Sequence, residues 1–230
     1  MTWDKKPIGI VCALAREVEG FHNLWDKGQY QTFTIKGRNF YPGFMAGRET
    51  VIVESGWGKV RAASATQLLL DQFSPAAIIN VGVAGAINPE REIGDIIFSE
   101  ATLEYDFHSN EEVGQKPKKA DKNLLQLALK ASLSSSYQSQ IFTGLIISGD
   151  QDINSREKKQ FLWEKYKAQC GEWEGAAIAT VARINNIPWL IIRAISDLAE
   201  ENFASEFENH LALVARNSAD TAVRLLNELD

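Results

Sequence analysis

Short apolar runs rich in Val and Ile recur along the chain, and several are separated by segments of helical period. Residues 8–13, 50–54, 76–83, 95–99, 140–147 and 189–195 have the length and β-branched content of strands. Near-continuous stretches such as Ala77-Ile78-Ile79 and Leu190-Ile191-Ile192 predict strands covered on both faces, because a strand with one wet face alternates instead. Residues 31–35 do alternate and predict an additional, half-exposed strand. Apolar positions three and four apart predict helices: Ala62, Ala65, Leu69 and Phe73 form one stripe, and Leu211, Val214, Ser218, Ala222 and Leu225 mark a long C-terminal helix. Residues 124–133, 156–166 and 174–184 are further helical segments. Strands alternating with helices predict an α/β fold, a three-layer α/β/α arrangement around a central mixed, largely parallel sheet. No internal repeat interrupts the pattern, Ser134-Ser135-Ser136 is a turn signal too short for a linker, and residues 1–230 read as one domain.

Composition narrows the class. A chain of 230 residues with 45% hydrophobic and 23% charged residues is neither disordered nor fibrous. At this size roughly 70% of the unfolded surface is buried on folding, so a core forms without disulfides or metals. A net charge of −6 offers no footprint for nucleic acid. Lys116, Lys118, Lys119 and Lys122 cluster near acids and read as a solvated loop. Cys12 and Cys170 make no disulfide framework and lack metal-ligand spacing, which points to a reduced, cytoplasmic setting. No apolar run reaches the roughly 18 residues of a membrane span. Lys5 and Lys6 followed by residues 7–14 imitate a short signal peptide, but that stretch runs into Arg16, Glu17 and Glu19 and reads better as a first core strand.

Ligands of such sheets bind at the carboxyl ends of the strands. Those ends carry Leu14-Ala15-Arg16-Glu17, Ser55-Gly56-Trp57-Gly58-Lys59, Gly82-Val83-Ala84-Gly85 and Arg193-Ala194-Ile195-Ser196-Asp197. Gly56-Trp57-Gly58 approaches a dinucleotide fingerprint, yet the third glycine position holds Arg61, and Lys59 lacks the context of a phosphate-binding loop. Gly82 and Gly85 are expected to let a ligand approach the backbone. Glu17 and Asp197 stand at strand ends facing the expected cleft, and Glu172 and Glu174 flank Trp173 at the start of a helix, where a carboxylate also serves as a plain cap. Carboxylates without metal-ligand histidines suit acid/base work on a polar, uncharged group such as a glycosidic bond. One protonated carboxyl donates to the departing base while an ionised one activates water.

These segments, together with Ser148-Gly149-Asp150 and Glu172-Trp173-Glu174-Gly175-Ala176-Ala177, resemble in order and spacing the nucleoside phosphorylase/nucleosidase superfamily, nearest its bacterial 5′-methylthioadenosine/S-adenosylhomocysteine nucleosidases. The resemblance spans essentially the whole chain. It implies hydrolysis of an adenosine-type nucleoside to adenine and the 5-substituted ribose, with no cofactor and with homodimers as the usual assembly. It makes Glu17 the carboxylate that activates water, Asp197 the acid for purine N7, and Glu174 the grip on the ribose hydroxyls. The backbone of Ile153 would read the purine edge, Arg193 and Ser196 would orient Asp197, and Phe207 would line the pocket.

Val83, Asp152 and Trp173 depart from the nucleosidase pattern, standing where a small hydroxyl residue, an aromatic and a methionine are usual. Tyr105-Asp106-Phe107-His108 matches a family stretch only in part. Related phosphorylases hold phosphate with an arginine and a hydroxyl where this chain has Asn80 and Val83, so water is the expected nucleophile; Arg16 and Arg61 read as surface helix residues. The alternatives are a phosphate-using purine nucleoside phosphorylase and a non-catalytic nucleoside-binding protein on the same fold.

Overall fold

The computed structural model describes residues 6–107, 116–133 and 139–229; Lys5, His108 and Ser134-Ser135-Ser136 lie outside them. In chain order the strands are β1 (Ile8–Cys12), β2 (Phe33–Ile35), β3 (Arg38–Met45), β4 (Arg48–Glu54), β5 (Ala77–Ala86), β6 (Ile96–Glu104), β7 (Lys118–Lys119), β8 (Ile141–Ser148), β9 (Cys170–Glu172) and β10 (Trp189–Asp197). The helices are α1 (Ala15–Glu19), α2 (Lys59–Phe73), α3 (Lys122–Ser132), α4 (Arg156–Tyr166), α5 (Gly175–Ile184) and α6 (Phe203–Asn227).

The near-continuous apolar runs become the inner strands. β1 and β10 are buried along their whole length, as expected of strands covered on both faces. Five ladders are parallel (β1 with β4 and β5, β5 with β10, β6 with β8, β8 with β9), and they hold most of the paired residues. The antiparallel ladders join β2 to β3, β3 to β4, β5 to β9, β6 to β7 and β6 to β10. One face of the sheet packs through Ile10, Ile79, Val81 and Leu190 onto the Val214, Ala222 and Leu225 stripe of α6, with α1 and α3 beside it. The other face packs through Val53, Ile78, Ile191 and Ile195 onto α2 and α5.

β5 does more than its neighbours. Along one edge it pairs with β10 from Ile78 to Gly85. On its other edge β1 takes residues 77–80 and β9 takes residues 85–86. The sheet therefore forks on β5, and β5, β9, β8, β6 and β10 close into a ring. Between the two branches, residues 81–84 have no strand partner on that edge among the described residues. A fork of this kind leaves backbone donors free beside a crevice, the situation that makes switch points of α/β sheets ligand sites.

One expectation needs correction, and three elements escape the sequence pattern. Lys118 and Lys119 form a strand on β6 rather than a loop, and Lys118 is largely buried with its ammonium 3.8 Å from Glu104; Lys116, Lys119 and Lys122 are exposed as expected. β3 and β9 escape the sequence pattern, since Arg38, Asn39, Pro42 and Gly43 break alternation in one and the other has only three residues. α1, with five residues, is too short for a helical period to register.

Candidate active site

The crevice at the fork is a cavity of about 360 Å³. Glu17, Val83, Asp152, Ile153, Glu172, Trp173, Glu174, Ser196, Asp197 and Phe207 all line it, so ten of the twelve residues singled out in the sequence converge on one hollow. They come from α1, the end of β5, the loop before α4, the β9–α5 junction, the end of β10 and α6. Leu14 and Trp57, from two of the strand-end segments, share the lining, as do Phe203, Ala204 and Glu208, to which sequence patterning did not point. Phe203 had a findable signal: it stands one helical turn before Phe207, on the same face of α6.

Glu17 is 4% exposed and fully engaged by backbone. Its Oε2 accepts from Ala13 N–H (2.7 Å) and Leu14 N–H (3.0 Å), and its Oε1 accepts from Val83 N–H (3.1 Å), one of the donors freed by the fork. Burial raises its pKa, while the charge of Arg193 and these three N–H groups pull the other way. Asp197 accepts from Ser196 Oγ (2.7 Å) and from Ala199 N–H (2.9 Å). Burial raises its pKa too, against which these two hydrogen bonds work. Glu174 has its Oε1 2.8 Å from the N–H of Gly58, across the cavity from its own helix. Burial and then the charge of Glu172 raise its pKa.

Glu172 lines the cavity but is already saturated. Its carboxylate takes the hydroxyl of Ser148, the N–H groups of Glu174 (2.9 Å) and Gly175 (2.7 Å), and Arg193 Nη2 at 2.5 Å. It is the cap of α5, the plainer of its two sequence readings, and this leaves Glu174 to face the hollow.

Arg193 and Gly82 are not part of the lining. Arg193 does not orient Asp197: it lies 2% exposed behind the site, bound to Glu172 and to Asn80 Oδ1 (2.6 Å). The reason is a β-bulge. Arg193, Ala194 and Ile195 pair with Gly82, Val83 and Ala84, but Asp197 rather than Ser196 pairs with Gly85. Asp197 thus takes the position an unbulged strand would give to residue 196 and falls out of phase with Arg193. Gly82 admits a carboxylate rather than a ligand, whereas Gly85 lines the cavity and also makes room for Asp197. A Cβ on Gly82 would collide with Glu17 Oε1, and one on Gly85 would lie 2.8 Å from Asp197 Oδ1.

The rim is aromatic and apolar. Trp57 stands edge-on to Trp173 with ring centroids 5.6 Å apart, and Phe203, Ala204 and Phe207 line the cavity from α6. Asp152 is exposed at the rim. Six carboxylates line the cavity, and no Lys, Arg or His does so among the described residues. Arg16 instead pairs at the surface with Glu208 (2.9 Å), Arg61 holds the Trp57 carbonyl, and Asn80 donates to the Val11 carbonyl (2.9 Å). No group of three or more His, Cys, Asp or Glu side chains is arranged to hold a metal among the described residues, and no helix there is long and apolar enough to cross a membrane.

Residues 7–227 match the family model described as the phosphorylase superfamily. A 5′-methylthioadenosine/S-adenosylhomocysteine nucleosidase of Tolumonas auensis is 34% identical over 96% of this chain and 99% of its own length. The crystal structure of the same nucleosidase from Neisseria meningitidis, in complex with methylthio-immucillin-A, superposes with a TM-score of 0.92 at 27% identity, covering 97% of this chain and all of that one. A futalosine hydrolase of Helicobacter pylori superposes with a TM-score of 0.90 at 26% identity, covering 97% and 98%. The chain belongs to the phosphorylase superfamily.

Proposed function

We propose that this member of the phosphorylase superfamily is an N-glycosyl hydrolase that splits an adenosine-type nucleoside, 5′-methylthioadenosine or S-adenosylhomocysteine, into adenine and the 5-substituted ribose. The observation that carries the reading is the meeting of Glu17, Glu174 and Asp197 around one cavity.

Their surroundings divide the labour. Asp197 has no cation in contact and a pKa raised by burial, which keeps its proton available for purine N7. Glu17, with three N–H donors and the field of Arg193, is the carboxyl better held as an anion. In the reaction, water oxygen bonds to the anomeric carbon as Glu17 accepts its proton. The carbon–nitrogen bond breaks, its electron pair stays on the purine, and N7 takes the proton of Asp197. Glu174 Oε2, free of the Gly58 contact, binds the ribose hydroxyls. A carboxyl at Asp197 also accepts from a 6-amino group, which favours adenine over 6-oxopurines. The apolar rim of Trp57, Phe203, Ala204 and Phe207 suits a thioether substituent.

Two competing readings are less well supported. A phosphorylase must hold a phosphate anion, and no Lys, Arg or His lines the cavity among the described residues to neutralise one. A passive binder has no use for both a base and an acid. The wider reading includes one domain, supported by the match over residues 7–227, and a reduced cytoplasmic setting, supported by two buried free thiols. It also includes a homodimer, the assembly that the resemblance to the nucleosidases implies. The test is chromatographic: purified protein incubated with either nucleoside in phosphate-free buffer should release adenine. Release that depends strictly on phosphate would move the assignment to the phosphorylase branch, and no release in either condition would remove it.

A further inference from the structure

The start of α2 is held by two carboxylates from elsewhere in the chain. Gly58 N–H goes to Glu174 at 2.8 Å and Lys59 N–H goes to Asp150 Oδ1 at 2.8 Å. Both Gly56 and Gly58 have positive φ (77° and 90°), which side-chain-bearing residues rarely adopt, and a Cβ on Gly58 would lie 2.9 Å from Asp150 Oδ1. The turn that presents Gly58 N–H to Glu174 therefore has little room to shift.

A partly buried ion-pair network fixes it from the far side. Lys59 Nζ lies 2.5 Å from Asp106 Oδ1 and 3.2 Å from Glu104 Oε2, with these side chains 16%, 17% and 22% exposed. The second oxygen of Asp106 accepts from Asp150 N–H at 2.9 Å. Asp106 thus grips both the Lys59 side chain and the loop whose carboxylate holds the Lys59 backbone. The network ties the ends of β6 and β8 to the first residue of α2, and through Gly58 to the carboxylate at the start of α5.

We propose that Lys59 and Asp106 are positioning residues: they lock the Gly56–Gly58 turn so that Gly58 N–H holds one oxygen of Glu174 and leaves the other aimed at the ribose hydroxyls. This rests on the role given to Glu174 above. With the turn unrestrained, Glu174 would lose the Gly58 N–H that holds it and with it the directed hydrogen bonds to the sugar. The observable consequence is loss of sugar discrimination, which a purely structural ion pair would not produce.

The test measures binding rather than turnover, and every protein in it, the one called wild type included, carries Asp197→Asn so that the probe is not consumed. Trp57 and Trp173 report occupancy of the cavity by fluorescence, and the probes are 5′-methylthioadenosine and its 2′-deoxy counterpart. Wild type should prefer the ribonucleoside, Glu174→Gln should lose roughly tenfold of that preference, and Lys59→Met and Asp106→Asn should lose a similar factor. Lys59→Arg should keep it. If Lys59→Met does not fold, Asp106→Asn decides alone, since it keeps the shape of the side chain. Loss in Glu174→Gln with preference intact in Lys59→Met or Asp106→Asn, whatever their melting temperatures, overturns the network's role alone. Absence of preference in wild type, or its retention in Glu174→Gln, overturns the role of Glu174 and this proposal with it.

Discussion

Glu17 Oε1 occupies the space in which a side chain at Gly82 would begin. A methyl group there cannot coexist with the carboxylate, and Arg193 Nη1, 3.2 Å from the same point, blocks retreat on one side. Gly82→Ala is therefore expected to push Glu17 off its three N–H donors. Turnover should fall by a factor in the range of roughly 10²–10⁴ for loss of a positioned base. Adenine binding should change little, because Gly82 does not line the cavity. Steady-state kinetics beside an adenine titration checks this; normal turnover in the Gly82→Ala variant would remove Glu17 from the mechanism.

Asp197→Asn should abolish adenine release while leaving the hollow intact. The amide cannot give up a proton to N7, yet it preserves volume, accepts from Ala199 N–H through its oxygen and meets the Ser196 hydroxyl with its NH₂. A drop of roughly 10²–10⁴-fold in kcat with a small change in KM is the expected pattern. Release measured on 5′-methylthioadenosine decides it, and near-normal kcat would refute the assignment.

The buried pair behind the site governs stability. Arg193 and Glu172 are both 2% exposed, and Arg193→Met leaves Glu172 without its cation in a dry interior. Removing one partner of such a pair costs about 3–5 kcal/mol. For a chain of this size that lowers Tm by roughly 6–20 °C. Thermal unfolding followed by circular dichroism measures it, and a shift of under about 2 °C would mean that solvent reaches the pair.

The raised carboxyl pKa values carry a signed pH dependence. Burial lifts Glu174 above its usual 4.5, so the folded protein binds that proton more tightly than the unfolded chain. Its contribution to stability is complete below the unfolded pKa and is lost as pH rises through the folded one. Glu174→Gln escapes that loss. It should be more stable than wild type at pH 8, by about 1 kcal/mol or a few degrees in Tm, with the difference vanishing toward pH 4. Melting curves at both pH values test this; a variant less stable than wild type at pH 8 contradicts it.

Activity should follow a bell. It is lost on the acid side as Glu17 takes up a proton and on the alkaline side as Asp197 gives its own away. Because burial raises both groups, both limbs should lie above the pH at which free carboxylates titrate. A profile of kcat/KM against pH reads this directly, and an alkaline limb near pH 4, about where a free carboxylate titrates, would exclude Asp197 as the acid.

The inner strands were legible because burial on both faces demands unbroken Val and Ile runs, as in Leu190-Ile191-Ile192. The helices were legible for the same reason at a different period, as the α6 stripe shows. β3 and β9 were not, because an antiparallel strand with Pro and Gly and a three-residue strand take their place from partners rather than from their own pattern. Ala204 and Glu208 joined the cavity unannounced, since a residue's neighbour across space leaves no mark in its local spacing.

The order of apolar and polar residues determined the layers, the buried strands and which carboxylates stand at strand ends, because those follow from short-range periodicity and solvent exclusion. Three-dimensional packing alone decided how the carboxylates divide. The fork on β5 frees the Val83 N–H for Glu17, and a one-residue bulge in β10 carries Asp197 away from Arg193. Arg193 is thereby left to Glu172. Both depend on pairing between strands far apart in the chain, where a shift of one residue reverses the direction in which every following side chain points.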